Sequence, residues 1–99
     1  MNEILIDMNA PEFQEGFFSL AKVEQVQLIK TFKKIRNLTW FQLYSDKGLK
    51  WEVILSKRTK TGDRIYSFRF SQKYRAIATR QGNSLRLLTL HVDHDSTYS

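Results

Sequence analysis

The sequence predicts an α+β domain: a short N-terminal strand, a helical hairpin, then an antiparallel sheet meander. Three observations carry this. Residues 65–70 and 74–79 alternate apolar and polar side chains with the period of a strand. Ser71-Gln72-Lys73 and Gln81-Gly82-Asn83-Ser84 supply turn residues between successive strands. Upstream, residues 11–20 and 22–36 space their apolar side chains with the period of a helix.

The elements follow in chain order. Ile4-Leu5-Ile6 is a short strand within residues 3–7. Asn9 or Ala10 caps a first helix with Pro11 in its first turn, where proline lacks only an N–H that the helix leaves unpaired anyway. Phe13, Phe17 and Leu20 form its stripe, and Gly16 weakens it. The break falls near residues 19–22. The second helix, residues 22–36, sets Leu28, Ile29, Phe32 and Ile35 against Gln27, Lys30, Thr31 and Lys34. Both stripes are expected to be buried on the sheet. Thr39 caps a short turn over residues 40–44, whose Trp40, Phe41, Leu43 and Tyr44 read as core or lid, or as a platform for stacked bases. Residues 49–55 form the strand that enters the sheet. Residues 56–64, SKRTKTGDR, have no apolar anchor and are expected to be a mobile loop. Residues 85–92 are apolar on both faces, as a doubly covered strand would be.

Ninety-nine residues make a single domain, residues 1–99, with one modest core. There is no cysteine, which excludes a disulfide framework and a thiolate metal site and fits a cytoplasmic location. No apolar run approaches the roughly 20 residues of a membrane span, and MNEILIDMN lacks the basic start of a signal peptide. A membrane partner is therefore not expected. The net charge of +6 is segregated. Residues 1–20 hold four acids and no Lys or Arg, whereas residues 47–80 hold ten bases against Glu52 and Asp63. Such a surface attracts a polyanion or an acidic protein, or merely keeps the domain soluble.

Three groups could carry chemistry. Lys50, Lys57, Arg58, Lys60, Arg69, Lys73, Arg75 and Arg80 form a basic set suited to phosphate, with ordinary surface ion pairing as the alternative. Arg69 and Arg75 flank the 71–73 turn, and a three-residue loop would set them opposite each other on one face. At the end of the last strand, His91, His94 and Tyr98 could serve proton transfer, with Asp93 on the face of His91 to orient it. The same cluster could bind a divalent metal, or Asp95 and Ser96 could simply form a polar turn. Glu52, the one acid among the bases of residues 47–55, is a candidate general base or a structural partner for a cation. Gly-rich phosphate loops, GxSxG and HExxH are absent.

The order of elements resembles the RelE/ParE superfamily, the toxins of bacterial type II toxin–antitoxin modules. Ile65-Tyr66-Ser67-Phe68-Arg69 and Lys73-Tyr74-Arg75-Ala76-Ile77 carry the likeness within the meander. Leu49-Lys50-Trp51-Glu52 resembles the entry to the sheet in a RelE-like subgroup, and the Leu90-His91-Val92-Asp93-His94-Asp95-Ser96-Thr97-Tyr98 ending resembles its close. The resemblance implies a microbial ribonuclease-like fold and an mRNA endoribonuclease acting in the ribosomal A site. The ribose 2′-hydroxyl would attack the neighbouring phosphate with no metal or other cofactor. Arg75 would match the arginine that stabilises phosphorane charge. Glu52, His91, His94 or Tyr98 would move protons, and Lys50, Lys57, Arg69, Lys73 and Arg80 would hold phosphates. The implied partners are a cognate antitoxin and the ribosome with its mRNA and rRNA, with DNA reached only through the antitoxin. Within the same superfamily, a ParE-like inhibitor of DNA gyrase or a catalytically degenerate member are the alternatives.

Overall fold

The structure is a computed structural model and describes residues 4–92. Its elements are β1 (Leu5–Asp7), α1 (Pro11–Ser19), α2 (Lys22–Arg36), α3 (Trp40–Ser45), β2 (Glu52–Arg58), β3 (Arg64–Arg69), β4 (Tyr74–Gln81) and β5 (Ser84–Val92). They build a helical layer on one five-stranded sheet of order β1-β5-β4-β3-β2. β1 runs parallel to β5, and the remaining neighbours are antiparallel. The expected α+β architecture is present.

The core lies between sheet and helices. Phe68, Phe70, Ala76, Ala78, Leu85 and Leu87 from one sheet face meet Phe13, Leu28, Phe32, Ile35, Trp40 and Leu43 from the helices. Phe13 joins both long helices to this core, with its ring centroid 6.1 Å from Phe17 and 6.2 Å from Phe32. Gln25 ties the hairpin by donating from Nε2 to the Phe17 carbonyl at 2.8 Å. α1 starts after Ala10 with Pro11 in its first turn, and α3 starts on a full capping box of Thr39 and Gln42. Gly16 faces Leu90, and an added Cβ would sit 3.6 Å from Leu90 Cδ1, an ordinary contact. Gly16→Ala is therefore expected to raise stability by about 0.5–1 kcal/mol through helix propensity, read as a higher urea midpoint.

Four expectations need correction. The strand placed at 49–55 begins at Glu52 and runs on to Arg58. Asp46 accepts the Leu49 N–H at 2.9 Å, and Lys50 adopts a left-handed φ of 48°, so this stretch is a turn rather than a strand. The loop expected at 56–64 shrinks to residues 59–63. A register shift between Ile54 and Arg58 lets Arg58 pair with Arg64. Its tip is also tied internally: Thr61 donates to Asp63 at 2.8 Å, the Asp63 N–H to Thr59 Oγ1 at 3.0 Å, and Gly62 to the Thr59 carbonyl at 2.9 Å. β5 is not doubly covered. Thr89 pairs with Ile77 but Leu87 with Ala78, so Leu88 is an extra residue, and the outer face carries Arg86, Thr89 and His91. Finally, Ile29 of the α2 stripe is 43% exposed, whereas Leu28, Phe32 and Ile35 of that stripe are buried.

Ile29 lines an apolar groove of about 610 Å³ together with Leu5, Ile6, Met8, Phe17 and Phe32, with Lys33 and Arg36 on its wall. Among the described residues no helix is long and apolar enough to cross a membrane.

Asp46 anchors the turn that leads into β2. Its Oδ1 meets Lys34 Nζ at 3.0 Å as well as the Leu49 N–H. Burial pushes the Asp46 carboxyl up. The Lys34 hydrogen bond, the Leu49 N–H, the Lys34 charge and the Gly48 N–H together outweigh that and hold it below the usual carboxylate range. A depressed folded pKa stabilises above the unfolded value, near 4, and that contribution fades as pH falls through the folded one. The urea midpoint of wild type is expected to fall more between pH 5 and pH 2.5 than that of Asp46→Asn.

Candidate active site

The sheet face turned away from the helices holds the candidate site. Its side chains follow from the register. Glu52 pairs with Ser67, Ser67 with Ile77, and Ile77 with Thr89, which makes one row across β2, β3, β4 and β5. Arg69 pairs with Arg75, and Arg75 with His91, which makes the next row. Directly paired residues share a face, so Glu52, Arg69, Arg75 and His91 converge on one surface. With strands about 4.8 Å apart, β2 and β5 stand about 14 Å apart there. Glu52 and His91 thus flank the two arginines.

The turn between β3 and β4 is the three-residue form. Ser71 Oγ accepts the Lys73 N–H at 3.2 Å and the Tyr74 N–H at 3.1 Å, and the Phe70 N–H closes on the Tyr74 carbonyl at 3.2 Å. That turn sets Arg69 opposite Arg75. Two like charges facing each other are unfavourable unless something compensates them.

Arg75 is compensated from three sides. It is 9% exposed. Its Nε–H and an Nη2–H donate to Ser67 Oγ at 3.2 and 2.8 Å, and Nη2 donates to the Lys50 carbonyl at 2.9 Å. The Glu52 carboxylate lies 3.7 Å from Nη2, with its side chain 62% exposed. Buried Nη1 has no hydrogen-bond partner among the described residues. The result is a guanidinium, ionised at any ordinary pH, fixed on the sheet face with a solvent-facing carboxylate beside it.

His91 is exposed, and its Nε2 shares a hydrogen bond with Thr89 Oγ1 at 2.8 Å. His94 and Tyr98 lie outside the described residues. Of the other predicted phosphate ligands, Lys73 is exposed on the turn beside Arg69 and Arg75. Lys57 lies exposed on β2 towards its far end. Lys50 contributes its carbonyl to Arg75, as its side chain stands exposed in the turn. Arg80 is not brought to this face. It pairs with Leu85, and its guanidinium lies 4.0 Å over the Trp40 ring while Nη1 donates to the Tyr44 hydroxyl at 2.7 Å. Those aromatics belong to α3 on the helical side. Sequence reasoning missed Ser67. The one available signal was a small hydroxyl alternating onto the same face as Arg69. Among the described residues no group of three or more His, Cys, Asp or Glu gathers as a metal would require.

Solved structures share this fold. The archaeal RelE–RelB complex from Pyrococcus horikoshii OT3 is similar at a TM-score of 0.67 and 11% identity, over 91% of this chain and 94% of that one. A copper-bound mutant toxin from Helicobacter pylori is similar at 0.53 and 12%, over 93% and 97%. The YoeB dimer from Staphylococcus aureus is similar at 0.53 and 15%, over 88% and 93%. No protein-family model and no curated protein matches the chain in sequence.

Proposed function

We propose that this chain, whose fold is that of RelE-like toxins, is the toxin of a type II toxin–antitoxin module and cleaves mRNA on the ribosome. The observation that carries the reading is the Arg75 guanidinium fixed on an open sheet face between a carboxylate and an imidazole. An RNA strand laid across that face brings a phosphodiester to the cation. The ribose 2′-oxygen attacks phosphorus, the bond to the 5′-oxygen breaks, and a 2′,3′-cyclic phosphate and a 5′-hydroxyl result. Glu52 and His91 are the described groups able to take the 2′-hydroxyl proton and to return one to the leaving 5′-oxygen. Arg75 stabilises the extra negative charge on the phosphorane. Arg69 and Lys73, at the same end of the face, hold neighbouring phosphates. The proposed location is the cytoplasm, where translating ribosomes are.

The proposed protein partner is an antitoxin. The groove beside α2 suits an amphipathic acidic segment of it, since the lining is apolar and its two charges, Lys33 and Arg36, are both positive. Induced expression followed by primer extension on a translated reporter tests the enzymatic reading. New 5′ ends in step with the reading frame are expected. Growth arrest with intact mRNA would overturn it and point instead to a target such as gyrase.

A further inference from the structure

Arg75 is held in an unusual way for a cation that meets phosphate. An arginine commonly grips an oxyanion as a fork, with two parallel N–H groups on one edge. Here the Nε/Nη2 edge is already taken by one protein oxygen, Ser67 Oγ, at 3.2 and 2.8 Å. The remaining Nη2–H goes to the Lys50 carbonyl at 2.9 Å. Ser67 is 5% exposed and sits on β3, so its hydroxyl has little freedom. Lys50 holds a left-handed φ of 48°, a conformation that side chains other than glycine rarely adopt.

We propose that Ser67 is the positioning residue for Arg75: with the Lys50 carbonyl, it converts the guanidinium from a mobile phosphate fork into a fixed charge. This rests on the ribonuclease reading. A fixed, partly desolvated cation gains most where charge develops, in the transition state, because it needs no reorganisation then. Ground-state grip on the substrate falls to other cations of the face. The two roles separate in kinetics. Loss of Ser67 lowers kcat and leaves KM, whereas loss of Arg69 raises KM.

The test has a spectroscopic arm that needs no activity. The Arg75 Nε–H resonance is assigned by its disappearance in Arg75→Lys. In wild type it is expected to exchange slowly with water. In Ser67→Ala exchange should quicken at least tenfold, and Ser67→Thr, which keeps the hydroxyl, should restore it. Ser67→Cys, nearly isosteric but a poor acceptor, covers the case in which the alanine variant fails to fold. Lys50→Gly keeps the carbonyl and should keep exchange slow. Unchanged exchange in both Ser67→Ala and Ser67→Cys overturns the proposal. So does quickened exchange with an unchanged kcat on ribosome-bound mRNA. If wild type cleaves no RNA while the resonance follows Ser67 as described, the ribonuclease reading falls and the positioning of Arg75 by Ser67 stands.

Discussion

Arg75→Ala is expected to lower the rate of mRNA cleavage by about 10²–10³-fold, the usual loss when one preorganised charge-stabilising group is removed. The effect should appear mainly in kcat, because the guanidinium is bound on its Nε/Nη2 edge by Ser67 and offers little additional grip to the substrate. The substitution also leaves Ser67 Oγ and the Lys50 carbonyl without their donor, at a cost of about 1–3 kcal/mol. A domain of this size can lose that much and stay folded, so circular dichroism should show native helix content in the inactive variant. In vitro translation with primer extension reads the rate. A variant that cleaves within threefold of wild type would remove Arg75 from the chemistry.

Phe68→Ala is expected to be the most damaging core substitution, lowering stability by about 3–5 kcal/mol. Phe68 is fully buried on the helical face of β3, opposite Ala76. Its ring stacks on Trp51 with centroids 6.0 Å apart and planes 13° apart. The cross-strand neighbour is already the small Ala76, so no large side chain opposite can swing in to fill the space. Removing the ring takes a large share of the 5–15 kcal/mol that holds a typical domain. Urea denaturation of the purified variant reads the loss. A drop below about 1 kcal/mol would mean that the helices settle into the gap.

The scaffold was largely legible in the residues because it rests on local signals. Tyr66, Phe68 and Phe70 alternate against Ser67 and Arg69, which sets Arg69 on the outer face; that Arg75 lies opposite it depends on the three-residue form of the 71–73 turn, which the structure supplies. Thr39 was readable as a cap, and the structure adds Gln42 as its capping-box partner. The misses have tertiary causes. β2 starts late because Asp46 and a left-handed Lys50 shape the preceding turn, and it ends late because Arg58 finds Arg64 after a bulge. Arg80 looked like one more phosphate ligand. Its partners Trp40 and Tyr44 lie far away in the chain, and only the folded sheet brings them under its guanidinium. The convergence of Glu52, Arg75 and His91 could be anticipated as a set of residue types. The oxygen that holds Arg75 could not, because a serine in a strand is ordinary until its neighbour across the sheet is known.

The pairing of β1 with β5 bears on the order in which the sheet can be completed. Leu5, near the start of the chain, is hydrogen-bonded beside Ser84, near its end. A chain emerging from synthesis can form its helical hairpin early, but β1 has no partner in the sheet until β5 has emerged. His91 sits on that last strand, so the row through Arg69 and Arg75 is completed only then. A pairing between segments so far apart in the chain forms late, because loop-closure entropy is lost before its contacts are gained. On the proposed reading as a toxin, the face that would meet RNA is therefore among the last parts of the sheet to be assembled.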